Sequence, residues 1–232
     1  MACYIEIYEG LEAFTQMDLR YICQFDEALS FSPSDYVSPL MELQSDWGEY
    51  LSPLNPESRF LQIQYRNTLS SIGGDFLANV IFLSNLGEGD VIVSPRGSNS
   101  EIILHDGSKK TMRELSGGWI SWYSNTTTNK IDSIICYDAS PDWPETGAGV
   151  NYVTKNSQGL CIPMERHVIL VHELAHAGQK YSFSMEQPLS DELLDRMEAE
   201  VVASENIYRN WMGLEERDSP EVKEENSPGF CP

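Results

Sequence analysis

The chain has 232 residues, with 15 Lys plus Arg against 36 Asp plus Glu, a formal charge of −21. Such a polyanion gains nothing from displacing counterions on phosphates and is repelled by anionic lipid, so nucleic acid and membrane surfaces are excluded as expected partners. At 41% hydrophobic and 10% aromatic residues it still has the composition of a globular chain, long enough for one large domain or two small ones.

The charge is uneven. Residues 1–60 carry 11 acids and 2 bases (−9), residues 61–185 carry 12 and 9 (−3), and residues 186–232 carry 13 and 4 (−9). The acidic ends read as solvated surface, or as an attractant for a basic partner or substrate segment.

The start, Met1 to Phe14, has neither a basic n-region nor an apolar h-region, so no secretory signal is expected. No apolar run approaches the ~18–20 residues of a membrane span. The five cysteines are odd in number and widely spaced, which predicts free thiols in a reducing compartment. Residues 30–54 are rich in Pro and Ser and read as loop with short helical pieces; residues 58–71 suit a helix. From Gly73 onward short β-rich runs follow one another: 76–84, 90–94, 101–105, 119–123 and 132–137. A long polar loop, 138–159, precedes a change of period.

Residues 163–179 (PMERHVILVHELAHAGQ) then read as a helix, with Pro near the first turn and Gly178 near the end. A second helix is predicted over 190–212, with Ser190 as N-cap and a buried stripe through Leu194, Met197, Val201, Tyr208 and Trp211. The segment 219–232 reads as a mobile tail. The organisation expected is therefore an acidic N-terminal region (1–60, a docking element or part of the same domain), a catalytic domain (61–218) and that tail (219–232).

The chemistry lies in His172-Glu173-Leu174-Ala175-His176. Histidines at i and i+4 sit one turn apart on one helix face, so both imidazoles reach one ion. A glutamate beside the first histidine points at the ion's open position, where it takes a proton from bound water. With 4 His and 23 Glu in the chain, chance produces this pattern about 0.01 times per chain. His167, five residues earlier, falls off the ligand face, and His105 closes a strand-like run and is not a ligand candidate.

A catalytic zinc needs a third protein ligand and an open position. No further histidine follows His176, so a carboxylate on the second helix is expected: Glu198, Glu200 or Glu205. Glu205 is two turns beyond Glu198 on almost the same face, whereas Glu200 is rotated from Glu198 by about 200°.

HELAHA, the acid 22 positions later, Glu205-Asn206-Ile207-Tyr208-Arg209 and Gly213-Leu214-Glu215-Glu216-Arg217 together resemble the NleD-like bacterial effector metallopeptidases. The likeness covers about Val168 to Arg217 and rests mainly on the Glu-Asn-x-x-Arg and Gly-Leu-x-x-Arg pair. The resemblance implies His172, His176 and Glu198 as zinc ligands and Glu173 as catalytic base. It also implies a protein secreted, or injected into host cells, that cuts host signalling proteins; an ordinary cytoplasmic protein is the alternative. Many two-His-one-Glu peptidases carry an Asp four residues after the ligand Glu; here that residue is Val202, so a supporting carboxylate must come from elsewhere.

The expected fold is α+β and zincin-like, a small mixed sheet packed on the helix of His172 and His176. The expected function is zinc-dependent endopeptidase, monomeric, acting on a protein or peptide with basic residues near the cut. Arg209, Tyr181 or Tyr208 would stabilise the oxyanion, although for Arg209 an i,i+4 ion pair with Glu205 is the simpler expectation. The alternatives are a non-enzymatic interaction protein and a zinc hydrolase acting on a cell-wall peptide or a non-protein substrate.

Overall fold

A computed structural model of the chain describes residues 3–7, 12–23, 29–33, 59–65, 91–104, 108–125, 130–140, 151–179 and 190–231. Six strands form the main sheet: β1 (Cys3–Ile7), β2 (Leu29–Pro33), β3 (Arg59–Tyr65), β4 (Val91–Arg96), β7 (Gly118–Asn125) and β8 (Lys130–Asp138). Their order is β2-β3-β1-β4-β8-β7. The sheet is mixed: β4 runs parallel to both β1 and β8, and the other pairs are antiparallel. A hairpin, β5 (Glu101–Ile103) with β6 (Lys109–Thr111), leads into β7. A separate three-stranded sheet orders β10 (Cys161–Met164), β9 (Tyr152–Lys155) and β11 (Lys223–Glu224). Three helices complete the described structure: α1 (Glu12–Cys23), α2 (Arg166–Gln179) and α3 (Asp191–Met212). The architecture is α+β.

Why α2 lies inside the molecule follows from its sequence. Val168, Ile169, Leu170 and Val171 are consecutive apolar residues, so no face of that turn is polar, and a helix apolar all round is a buried helix. It packs on β7 and β8 on one side and on α1 and α3 on the other. The core between them includes Ile135, Tyr137, Val168, Leu170, Leu174 and Tyr208. A smaller cluster, Ile92, Ile102, Met112, Ile134 and Cys136, fills the opposite face of the sheet under the β5–β6 hairpin.

Several expectations change. Residues 58–71 are not a helix where described: Arg59–Tyr65 is β3, paired on both edges, and its LQIQY core alternates apolar and polar residues with the period of a strand. Helix α2 starts at Arg166 and not at Pro163, because Pro163 and Met164, in β10, pair with Val153 and Tyr152. β10 is an edge strand, where a residue without an N–H is tolerated. The 138–159 segment contains β9. The boundary proposed at residue 60 falls within β3, and the first sixty residues supply β1, between β3 and β4. The expected strand at 76–84, and His105 and Tyr181, lie outside the described residues.

The cysteines are a further correction. Cys161 and Cys231 form a disulfide across 70 residues of sequence, whereas Cys136 is buried and not disulfide-bonded. The segment expected as a mobile tail is tied down to Cys231 by that bond and by β11. Among the described residues no helix is long and apolar enough to cross a membrane.

Candidate metal centre

The second helix begins where the sequence places it. Ser190 is the N-cap, its side chain accepting from the Leu193 N–H at 3.3 Å, with Asp191 and Glu192 in the positive first turn. Met197, Val201 and Tyr208 are buried, Trp211 is partly buried, and Leu194 is exposed. That stripe seats α3 on α2 and turns Glu198 and Glu205 toward the two histidines.

His172, His176 and Glu198 converge and are the group of side chains, among the described residues, arranged to hold a metal ion. The two Nε2 atoms are 3.2 Å apart. Glu198 Oε2 lies 3.1 Å from His176 Nε2, and Glu198 Oε1 lies 3.5 Å from His172 Nε2. A tetrahedral zinc with nitrogen and oxygen ligands at ~2.0–2.1 Å has donor–donor edges of about 3.3 Å. Each imidazole nitrogen thus stands at about that spacing from the other and from one oxygen of the Glu198 carboxylate, a donor set that suits such an ion.

The outer nitrogens of both rings are held as a metal ligand requires. His176 Nδ1 donates to Gln179 Oε1 at 3.0 Å, and Gln179 Nε2 donates to the Met197 carbonyl at 2.9 Å, which fixes the amide's orientation. His172 Nδ1 has two neighbours, Glu205 Oε2 at 3.0 Å and Arg217 Nη2 at 3.1 Å. The carboxylate accepts only and the guanidinium donates only. The charged acceptor selects Nδ1–H, which leaves Nε2 to face the ion; the arginine contact is then proximity without a hydrogen bond. This is the carboxylate–histidine pairing that orients metal-bound imidazoles.

Glu205 is fully buried. Besides His172 it meets Arg209 Nε and Arg217 Nε, the latter at 3.1 Å as an ion pair without hydrogen-bond alignment. Arg217 Nη2 also donates to Glu198 Oε1 at 3.2 Å, so one guanidinium spans both carboxylates. Asn206 holds the Arg217 backbone from both sides, donating to its carbonyl and accepting from its N–H. Gly213, left-handed at φ 73°, ends α3 and reverses the chain so that Arg217 returns to Glu205. Every polar member of the Glu-Asn-x-x-Arg and Gly-x-x-x-Arg pattern thus belongs to one ion-pair cluster behind the histidines.

The fields follow. Burial would raise the Glu198 carboxyl, but hydrogen bonds from His172 and His176 outweigh it and hold the group well below the usual carboxylate range. Burial would lower the His172 imidazole, but Glu198 and Glu205 hold it up, at about 9. A cation at Nε2 would replace that proton, while Nδ1–H keeps its bond to Glu205. Burial pushes the Glu173 carboxyl up, against the pull of His172 and His176.

Glu173 shares with the three ligand candidates a cavity of about 450 Å³, floored by β7. Gly118 opens β7, and a Cβ there would overlap Glu173 Oε1 and stand 3.0 Å from Ile169 Cγ2. The glycine therefore makes room for the carboxylate. Gly118→Ala is expected to displace the Glu173 carboxylate while metal content is unchanged, read by a crystal structure of the variant beside metal analysis.

Of the three carboxylates considered from sequence, the structure brings Glu198 to the histidine Nε2 atoms and Glu205 to Nδ1, and leaves Glu200 exposed and paired with Arg196. Glu205 supplies the carboxylate that Val202 cannot. Arg209 pairs with Glu205, and Tyr208 bonds His167, which also meets Glu165; neither is aimed at the cavity by these contacts. Sequence reasoning named Arg217 as part of the resemblance but gave it no role, and it missed Gln179 and Gly118. A polar residue three positions after His176 was a signal for the first; nothing local marks Gly118. Comparisons of the chain with family models, curated proteins and solved structures give no match.

Proposed function

We propose that the chain is a zinc-dependent endopeptidase of zincin-like build. The observation that carries this reading is the convergence of the His172 and His176 Nε2 atoms and the Glu198 carboxylate, at separations of 3.1–3.5 Å, beside a buried glutamate in one cavity. When bound there, zinc would polarise the scissile carbonyl and acidify a water. Glu173, in the same cavity, would take a proton from the attacking water and hand it to the leaving amine. Arg217, at the cavity wall, keeps Glu198 in place. The edge of the main sheet favours a peptide over a compact small molecule: β7 pairs only with β8 among the described strands, so its outer backbone groups suit an extended chain. The disulfide suits a protein that works outside a reducing cytosol, and so favours a secreted protein over one injected into host cells.

Two measurements test this. Metal analysis is expected to find one zinc per chain, lost in His172→Ala and Glu198→Ala and kept in Glu200→Ala. A cleavage screen in a cell lysate is expected to show new peptide termini with the wild-type protein and none with Glu173→Gln. Termini absent from both would point to the non-enzymatic reading, in which the metal is structural.

A further inference from the structure

The segment beyond Arg217 has no part in the mechanism above, yet Pro220, Glu221, Val222 and Lys223 line the metal cavity. It is fastened at many points. The Asp218 N–H donates to the Lys155 carbonyl at 2.9 Å, and the Thr154 hydroxyl lies within reach of the Ser219 and Glu221 carbonyls at 3.1 and 2.9 Å. Ser116, in the turn before β7, donates to the Val222 carbonyl at 2.7 Å. β11 pairs with β9, Asn151 donates to Glu225, and the Cys161–Cys231 disulfide closes the far end. The strap and β7 therefore both line the cavity of the candidate zinc site.

The strap meets the cavity with two apolar residues, Pro220 and Val222, and two charged ones, Glu221 and Lys223. Val222 is partly buried against the core, as is Ile120 of β7. Ile169 and Met164 line the same space and belong to that core. The strap's two charged lining groups, Glu221 and Lys223, pair with each other at 2.9 Å, so the wall offers no uncompensated acid to a basic side chain.

We propose that this strap is the specificity wall of the site: it selects substrates with an apolar side chain next to the zinc-bound group, and the Cys161–Cys231 disulfide is the positioning element that holds it. The inference rests on the zinc-peptidase reading and replaces the expectation of a basic residue near the cut.

The test is isothermal titration of the zinc-loaded protein with four probes: acetohydroxamate, and peptide hydroxamates identical except for a glycine, isobutyl or lysine side chain. The isobutyl compound is expected to bind at least ~10-fold tighter than the glycine one, the gain from burying a leucine-sized group. Val222→Ser, and separately the paired change Cys161→Ser with Cys231→Ser, should cut that advantage to about 3-fold or less. Zinc content and acetohydroxamate affinity should be unchanged in both. Val222→Ser keeps the disulfide, so it decides the matter if the cysteine variant fails to fold. A lysine probe tighter than the isobutyl one, or an isobutyl advantage intact in Val222→Ser, overturns the proposal. Acetohydroxamate binding that does not depend on zinc overturns the peptidase reading beneath it, which the first result leaves standing.

Discussion

Glu173→Gln is expected to reduce peptide hydrolysis by about 10²–10⁴-fold, the range ascribed to a positioned general base. Glutamine keeps the shape of the side chain, and shape matters here because Gly118 leaves just enough room for the group. What it loses is the ability to take a proton. Zinc content should stay at one per chain, since Glu173 stands apart from the group that converges on the ion site. Rate measured on any substrate found by the cleavage screen, beside metal analysis of the same sample, checks both halves. Turnover within threefold of wild type would remove Glu173 from the mechanism. Loss of zinc would make it a ligand.

Glu205→Ala is expected to be the most damaging single change to stability, at about 3–5 kcal/mol. Glu205 is the shared anion of a buried cluster, facing Arg209, Arg217 and His172. Both guanidiniums are buried as well, so removing the carboxylate takes the ion-pair partner from Arg209 and leaves Arg217 with Glu198 alone. For a chain of this size the melting temperature should fall on the order of 10 °C. Zinc affinity should drop about 10–100-fold, because His172 Nδ1 loses the acceptor that fixes its ring. Thermal unfolding and competition against a chromogenic chelator measure the two effects. Glu205→Gln, which keeps an acceptor for Nδ1 but not the charge, should retain more of the zinc affinity than of the stability. An unchanged melting temperature in Glu205→Ala would show that the arginines find other partners.

How much of this was legible beforehand depends on the range of the interaction. His172, Glu173 and His176 follow from a helical repeat, and a helical repeat is local. Helix α3 was legible to the residue at its start, because Ser190 and the acids after it act within one turn. The choice among Glu198, Glu200 and Glu205 was not settled by helical geometry. Two of them share a face, and what separates their roles is which nitrogen of His172 each one meets, a property of how α3 packs on α2. Gly118 was out of reach, since its meaning comes from a side chain 55 positions later in sequence. So was the disulfide: an odd cysteine count says nothing of which two thiols the fold brings together. Residues 59–65 misled for a related reason. The segment is compatible with a helix in isolation, and the strand is chosen by partners on both of its edges.

The reversal at Gly213 carries a consequence for how this chain tolerates change. Connections after a helix are usually free to gain or lose residues, because they sit at the surface and nothing depends on their length. Here Glu215 and Glu216 are exposed and open to substitution, but the spacing between Gly213 and Arg217 is not. Adding or removing one residue there would carry Arg217 out of the Asn206 clamp and away from both Glu198 and Glu205. A length change on the surface would thus act as a lesion of the candidate metal centre, and divergence of this chain should appear in that turn as exchanged letters of constant number.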